Sequence, residues 1–143
     1  MRILGLDVGE RRIGIALSDP LGITAQPLGV LERQGPHQDV EAVRALIEQH
    51  GVVTVVVGLP LTMRGEQGVQ AKKVLAFSET LRRRVSVPVQ LVDERLTTVQ
   101  GERALLETGA SRRTRKQTID QVAAQLILQQ FLDIHRANDE SDE

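Results

Sequence analysis

A chain of 143 residues with 41% hydrophobic and 26% charged side chains can build a core of its own, which excludes wholesale disorder. It has no cysteine, which excludes disulfides and thiolate metal centres, and its net charge of -1 expresses no preference for polyanions. No apolar run approaches a membrane span and the opening MRILGLDVGERR lacks the features of an export signal, so a cytoplasmic protein is expected.

In chain order, Ile3–Val8 and Arg12–Ser18 read as a hairpin closed by a tight turn at Gly9, Glu10 and Arg11, and Ala25–Glu32 as a third strand. Asp39–His50 is expected to be helical, with Val40, Val43, Leu46 and Ile47 along one side. VVTVVVGLP, Val52–Pro60, is a β-branched run too short for a typical helix and suited to a strand covered on both faces. Val69, Lys72, Lys73, Ala76 and Phe77 at helical spacing mark a helix over Glu66–Arg84, and VPVQLVDE, Val87–Glu94, another buried strand. Two further helices, Thr98–Thr108 and Thr118–Arg136, are expected on either side of a GASRRTRK loop.

The order β-β-β-α-β-α-β-α-α predicts an α/β fold. An antiparallel three-stranded meander joins two parallel strands in one five-stranded mixed sheet flanked by helices. Residues 1–135 form the expected domain, and RANDESDE, 136–143, with a charge of -3, an acidic flexible tail.

Ligands of such sheets gather beyond the carboxyl ends of the parallel strands. Asp7 and Glu94 fall at those ends. A carboxylate inside an apolar strand costs several kcal/mol unless a cation or water meets it. Strand alternation puts Asp7 on one face with Ile3 and Gly5, and across the hairpin the small residues Gly14, Ala16 and Ser18 also share a face. If those faces coincide, Asp7 stands on a bare patch with room for an ion or a phosphodiester; the alternative is an Asp that caps the Gly9 turn. Asp93 and Glu94 point to opposite sides, the sequence leaves open which faces the site, and an ion pair with Arg95 competes for Glu94.

Asp120 begins a stripe that continues through Ala123, Ala124, Ile127, Leu128 and Phe131, so it belongs to the helix face turned toward the protein. Thr118 and Gln121 form a capping box there, which offers Asp120 a helix-terminal role as well. Carboxylates converging without thiolates suit a hard cation, Mg2+ or Mn2+, held through oxygen. His37, His50 and His135 lack ligand spacing, and Ser18 lacks an identifiable general base.

The neutral total conceals a basic middle: Arg64 to Lys116 contains 12 Arg and Lys against 6 Asp and Glu. Arg11 and Arg12 at the hairpin turn, Arg64 after VGLP, and Arg112, Arg113, Arg115 and Lys116 in the loop before Asp120 are the candidate nucleic-acid contacts. Arg82, Arg83 and Arg84 suit a helix C-terminus. With no Tyr or Trp, and with Phe77 and Phe131 expected in the core, no base-stacking platform is available.

LGLDVGERRIGIALSD, VVVGLPLTMRGEQG, VDERLTT and IDQVAA resemble, in order and spacing, the four signature blocks of the YqgF, or RuvX-type, family over Met1 to about Ile134. The resemblance implies a ribonuclease H-like fold and metal-dependent phosphodiester hydrolysis, with Asp7, Glu94 and Asp120 as the metal-binding catalytic carboxylates. It implies a role in 5′-end maturation of precursor 16S rRNA. Without base stacking, specificity for one rRNA site would need the ribosome or another protein, so pre-ribosomal particles are expected as further partners. The chain departs from related resolvases in carrying Ala123 and Ala124 where many have a fourth carboxylate, and from the family in carrying Arg64 where a small polar or acidic residue is common. Three alternatives stand beside it: a Holliday-junction resolvase acting on branched DNA, an actin-like phosphotransferase, which needs two such domains, and a non-catalytic nucleic-acid module.

Overall fold

The computed structural model describes the backbone of residues 1–61, 64–93 and 112–141, and side chains for all of these except 112–120 and 136–141. Its elements are β1 (Arg2–Val8), β2 (Arg12–Ser18), β3 (Ala25–Glu32), α1 (Pro36–His50), β4 (Val52–Leu59), α2 (Val69–Arg84), β5 (Val89–Asp93) and α3 (Arg112–Ser141). The sheet order is β3-β2-β1-β4-β5. β1, β2 and β3 are antiparallel neighbours, and β4 and β5 continue from β1 in parallel. The expected meander plus two parallel strands is the observed sheet.

The two faces carry different cores. Leu4, Leu6, Val8, Val55 and Val57 pack with Val40, Val43 and Ile47 of α1 and Val74, Phe77 and Leu81 of α2. Ile3, Ala16, Ala25 and Val56 pack with Ala124, Ile127, Leu128, Phe131 and Leu132 of α3. Burial on both sides explains why β4 is continuously β-branched rather than alternating.

Several boundaries differ from the sequence reading for local reasons. α1 begins at Pro36 rather than Asp39, because proline at a helix start surrenders no intrahelical hydrogen bond; it ends at Gly51, whose φ of 62° supplies the left-handed cap. α2 begins at Val69 rather than Glu66, because Gln67 is held in an antiparallel bridge with Leu61 instead. The expected GASRRTRK loop ends early: α3 is helical from Arg112, so Arg112, Arg113, Arg115 and Lys116 belong to a helix rather than a loop. Arg, Lys and Gln are good helix formers, and no Gly or Pro interrupts the chain from Ser111 to Ser141. The helical backbone also runs to Ser141, through most of the stretch expected as an acidic tail. The expected Thr98–Thr108 helix lies outside the described residues.

Candidate active site

The β1–β2 register pairs Asp7 with Gly14 and Gly5 with Ala16, so the small faces of the hairpin coincide. Asp7 is half-buried and shares the α3 face of the sheet with Ile3 and Gly5. On the other side of β1, Leu6 pairs with Val57, and the next β4 residue is Gly58. Asp7 therefore stands in a glycine-lined setting at the carboxyl end of the central strand. Ser18 is elsewhere: its Oγ accepts the Ile3 N–H at 2.8 Å and donates to the Asp19 carbonyl at 3.1 Å, a ladder-closing role.

Helix α3 rides directly on this strand. A Cβ at Gly5 would stand 2.8 Å from Leu128 Cβ and 3.2 Å from the Ala124 carbonyl oxygen. Farther along, Ile3, Phe131, Leu132 and His135 line a cavity of about 410 Å³ at the opposite end of the sheet from Asp7. α3 thus runs antiparallel to β1, with its N-terminal half directed toward the Asp7 end. The stripe expected to follow Asp120 is the buried one: Ala123, Ala124, Ile127, Leu128 and Phe131 are all buried. The Asp120 side chain itself lies outside the described residues.

At the end of β5, Asp93 pairs with Leu59 and is exposed. Val92 packs into the α3-side core and Leu91 against the other, so alternation puts Asp93 on the face opposite Asp7. Glu94 lies outside the described residues. Among the described residues no three His, Cys, Asp or Glu side chains gather as a metal site. Of the three predicted carboxylates, Asp7 alone has a described side chain, at the carboxyl end of β1.

The predicted cationic contacts divide. Arg11 and Arg64 are exposed. Arg12 is engaged, its Nε donating to Glu32 Oε1 on β3 at 2.9 Å. The side chains of Arg112, Arg113, Arg115 and Lys116 lie outside the described residues. Arg82 donates twice to the Val89 carbonyl, at 2.8 and 3.2 Å, which locks the end of α2 to the start of β5.

Sequence reasoning missed the buried polar group behind the hairpin turn. Asp39 is buried, and its carboxylate accepts from Arg33 Nε at 3.0 Å and from the Gln34 N–H at 2.9 Å. Arg33 also donates to the Gly9 carbonyl, and Gln70 to the Val8 carbonyl. An acidic residue inside an otherwise apolar helix stripe was the available signal.

The topology defines a class before it defines a family. Thermus thermophilus RuvC in complex with a Holliday-junction substrate matches with a TM-score of 0.61 at 17% identity, 96% of each chain being covered. The fowlpox virus resolvase in complex with junction DNA matches with a TM-score of 0.56 at 11% identity, covering 93% of this chain and 97% of that one. The fold is the ribonuclease H-like fold of these resolvases.

A family model described as RuvX, Holliday junction resolvase, matches residues 1–134. A protein of Moorella thermoacetica is 53% identical over 133 residues, 93% of this chain and 95% of its own. One of Clostridium acetobutylicum is 48% identical over 132 residues, 92% of this chain and 98% of its own. Both carry the name "Putative pre-16S rRNA nuclease". The chain belongs to the RuvX family and is a nuclease.

Proposed function

We propose that this chain is a divalent-metal-dependent nuclease that hydrolyses phosphodiester bonds during 5′-end maturation of precursor 16S rRNA. The observation that carries the reading is Asp7: a half-buried carboxylate among glycines, at the carboxyl end of the central parallel strand, with α3 descending toward it. The substrate follows from what its relatives are named, at about half identity over nearly the whole chain. Cytoplasmic action, inside or beside pre-ribosomal particles, belongs to the same proposal.

The donor chemistry fits a hard cation. The chain has no thiol, and its three histidines stand elsewhere: His37 near Arg84, His50 at the end of α1, and His135 against Phe131. Carboxylate oxygens remain, as Mg2+ or Mn2+ prefers. Asp7, Glu94 and Asp120 are the proposed ligands.

Two arguments support the second and third. Asp93 alternates onto the face opposite Asp7, which supports choosing its neighbour Glu94 as the ligand. From the contact of Gly5 with Ala124, four helical residues back, about 6 Å, match two strand residues forward, about 6.6 Å, and that spacing supports choosing Asp120 as a partner of Asp7. Ala123 and Ala124 keep the adjoining helix face slim and leave no fourth carboxylate.

A bound divalent cation would supply Lewis-acid polarisation of the phosphate and a more acidic water. The protein's own part is positional. Asp7 is presented by a strand paired with β2 at Asp7 itself and with β4 up to Leu6, which would limit backbone reorganisation during reaction. Exposed Arg11 and Arg64, with the basic start of α3, would neutralise neighbouring phosphates. Phe77 and Phe131 are both buried, so recognition runs through backbone charge and shape rather than base stacking.

A second reading, cleavage of four-way DNA junctions, is favoured by the description of the family model and by the fold of the junction-bound resolvases. A cleavage assay on precursor rRNA, single-stranded RNA and four-way junctions, with Mn2+, Mg2+ and a chelator, separates the two. Metal-dependent cleavage of precursor rRNA alone is the expected result. Cleavage confined to junctions transfers the assignment to the second reading, and metal-independent binding without cleavage defeats both.

A further inference from the structure

The turn that follows Asp7 is held from the far face of the sheet. The β1–β4 register ends with Leu6 opposite Val57, so the chain beyond Asp7 outruns that ladder. Side chains take over the carbonyls there: Gln70 Nε2 donates to Val8 O at 3.2 Å and Arg33 Nη1 to Gly9 O at 2.9 Å. The Arg33 backbone N–H also donates to the Arg11 carbonyl at 2.8 Å.

Arg33 is itself fixed on two further sides. Its Nε donates to Asp39 Oδ2 at 3.0 Å, and its guanidinium carbon lies 5.5 Å from the centroid of the Phe77 ring. Asp39 and Phe77 are each only 4% exposed, so the anchors are rigid. A buried ion pair contributes little net stability, because desolvation offsets attraction. What it does fix is direction. Guanidinium donors form a planar fork, so holding Nε on Asp39 and one face on Phe77 determines where Nη1 points.

We propose that Arg33 is a positioning residue for Asp7, working with Asp39 behind it and Gln70 beside it through the backbone of Val8 and Gly9. The proposal rests on the reading of Asp7 as a metal-binding carboxylate. Groups that orient a ligand from outside typically change metal affinity or activity by about 10- to 100-fold when removed. The effect should therefore fall on metal binding and turnover, not on the grip on nucleic acid.

The test measures Mn2+ affinity of the full chain by the free-ion paramagnetic resonance signal, together with kcat and KM on precursor rRNA. The variants are Gln70→Leu and the pair Arg33→Met with Asp39→Asn, which removes both charges so that neither stays buried alone; Asp7→Asn is the reference. Circular dichroism and the melting curve establish which variants are folded. The expected result is a Mn2+ Kd raised and a kcat lowered about tenfold in the folded variants, with KM nearly unchanged. A lower melting temperature with parental kcat and Mn2+ affinity would mean a purely structural clamp and overturn the proposal. If the double variant does not fold, Gln70→Leu alone decides by the same criterion. Impairment confined to Asp7→Asn defeats only the positioning role, whereas normal Mn2+ binding and cleavage by Asp7→Asn defeats the reading of Asp7 and the proposal with it.

Discussion

Gly5 and Leu128 meet at a distance that leaves no room for a side chain: a Cβ on the strand residue would stand 2.8 Å from the Cβ of the helix residue. The neighbouring obstacle is the Ala124 carbonyl oxygen at 3.2 Å, which is backbone and cannot rotate away. Gly5→Ala should therefore lift α3 from the sheet and destabilise the protein by about 1–3 kcal/mol, the usual cost of overpacking. Urea unfolding measures the loss. Cleavage per folded molecule should fall as well, because the same contact sets the height of α3 beside Asp7; an alanine variant with parental stability would refute the close packing.

Asp7→Asn keeps shape and removes the charge. In its half-buried, glycine-lined setting the amide fits the same space, so folding stability should change by no more than about 1 kcal/mol. Cleavage in Mg2+ or Mn2+ should be abolished. A folded Asp7→Asn protein that cleaves at the parental rate removes Asp7 from the mechanism.

Ionic strength should separate the arginines at the turn. Arg11 is exposed, whereas Arg12 is engaged by Glu32 across the β2–β3 ladder. Each phosphate contact to single-stranded nucleic acid adds about 0.7 to the slope of log affinity against log salt. Arg11→Ala and Arg64→Ala should each flatten the slope by about that amount, and Arg12→Ala by less. Binding titrations on precursor rRNA at several salt concentrations read this directly; slopes unchanged in Arg11→Ala and Arg64→Ala would remove both from the interface.

Asp19 supplies a pH prediction away from the candidate site. Its Oδ1 accepts the Thr24 N–H at 2.9 Å and the Ile23 N–H at 2.7 Å, and the Thr24 bond is the main cause holding its pKa below the ordinary aspartate value. These bonds favour the ionised form, so the folded protein binds that proton less tightly than the unfolded chain. The stabilisation is fully present above the unfolded-state pKa and is lost as pH falls through the lower folded-state value. Carbon-detected NMR titration should show Asp19 titrating below a normal aspartate, and Asp19→Ala should loosen the 19–24 loop. A normal titration midpoint would contradict the loop geometry.

Much of this arrangement was legible from local pattern. The hairpin, the Ala25–Glu32 strand and the β-branched run at 52–59 follow from alternation and composition, and the meeting of small residues beside Asp7 follows from Gly14 and Ala16 falling opposite Asp7 and Gly5. The buried stripe after position 120 followed from helical periodicity. What escaped was of two kinds. The start of α3 was hidden because a run of arginines resembles a solvated loop as much as a helix end. The Arg33–Asp39–Gly9 group was hidden because Arg33 and Gly9 are 24 residues apart, and no local pattern encodes which carbonyl a guanidinium will reach. The face that Asp93 takes needed the packing of Val92 and Leu91 to decide it.

The place of β1 in the sheet has a dynamic corollary. With two strands on either side of it, β1 is the innermost of the five. Edge strands and helix ends can open by themselves, but an inner strand exchanges its amide hydrogens only when the whole structure lets go. The amides of β1 from Leu4 to Leu6 should therefore be among the slowest to exchange with deuterium. Heating should extinguish cleavage and structure in a single transition, while drift at the sheet margins leaves the carboxylate where it stands.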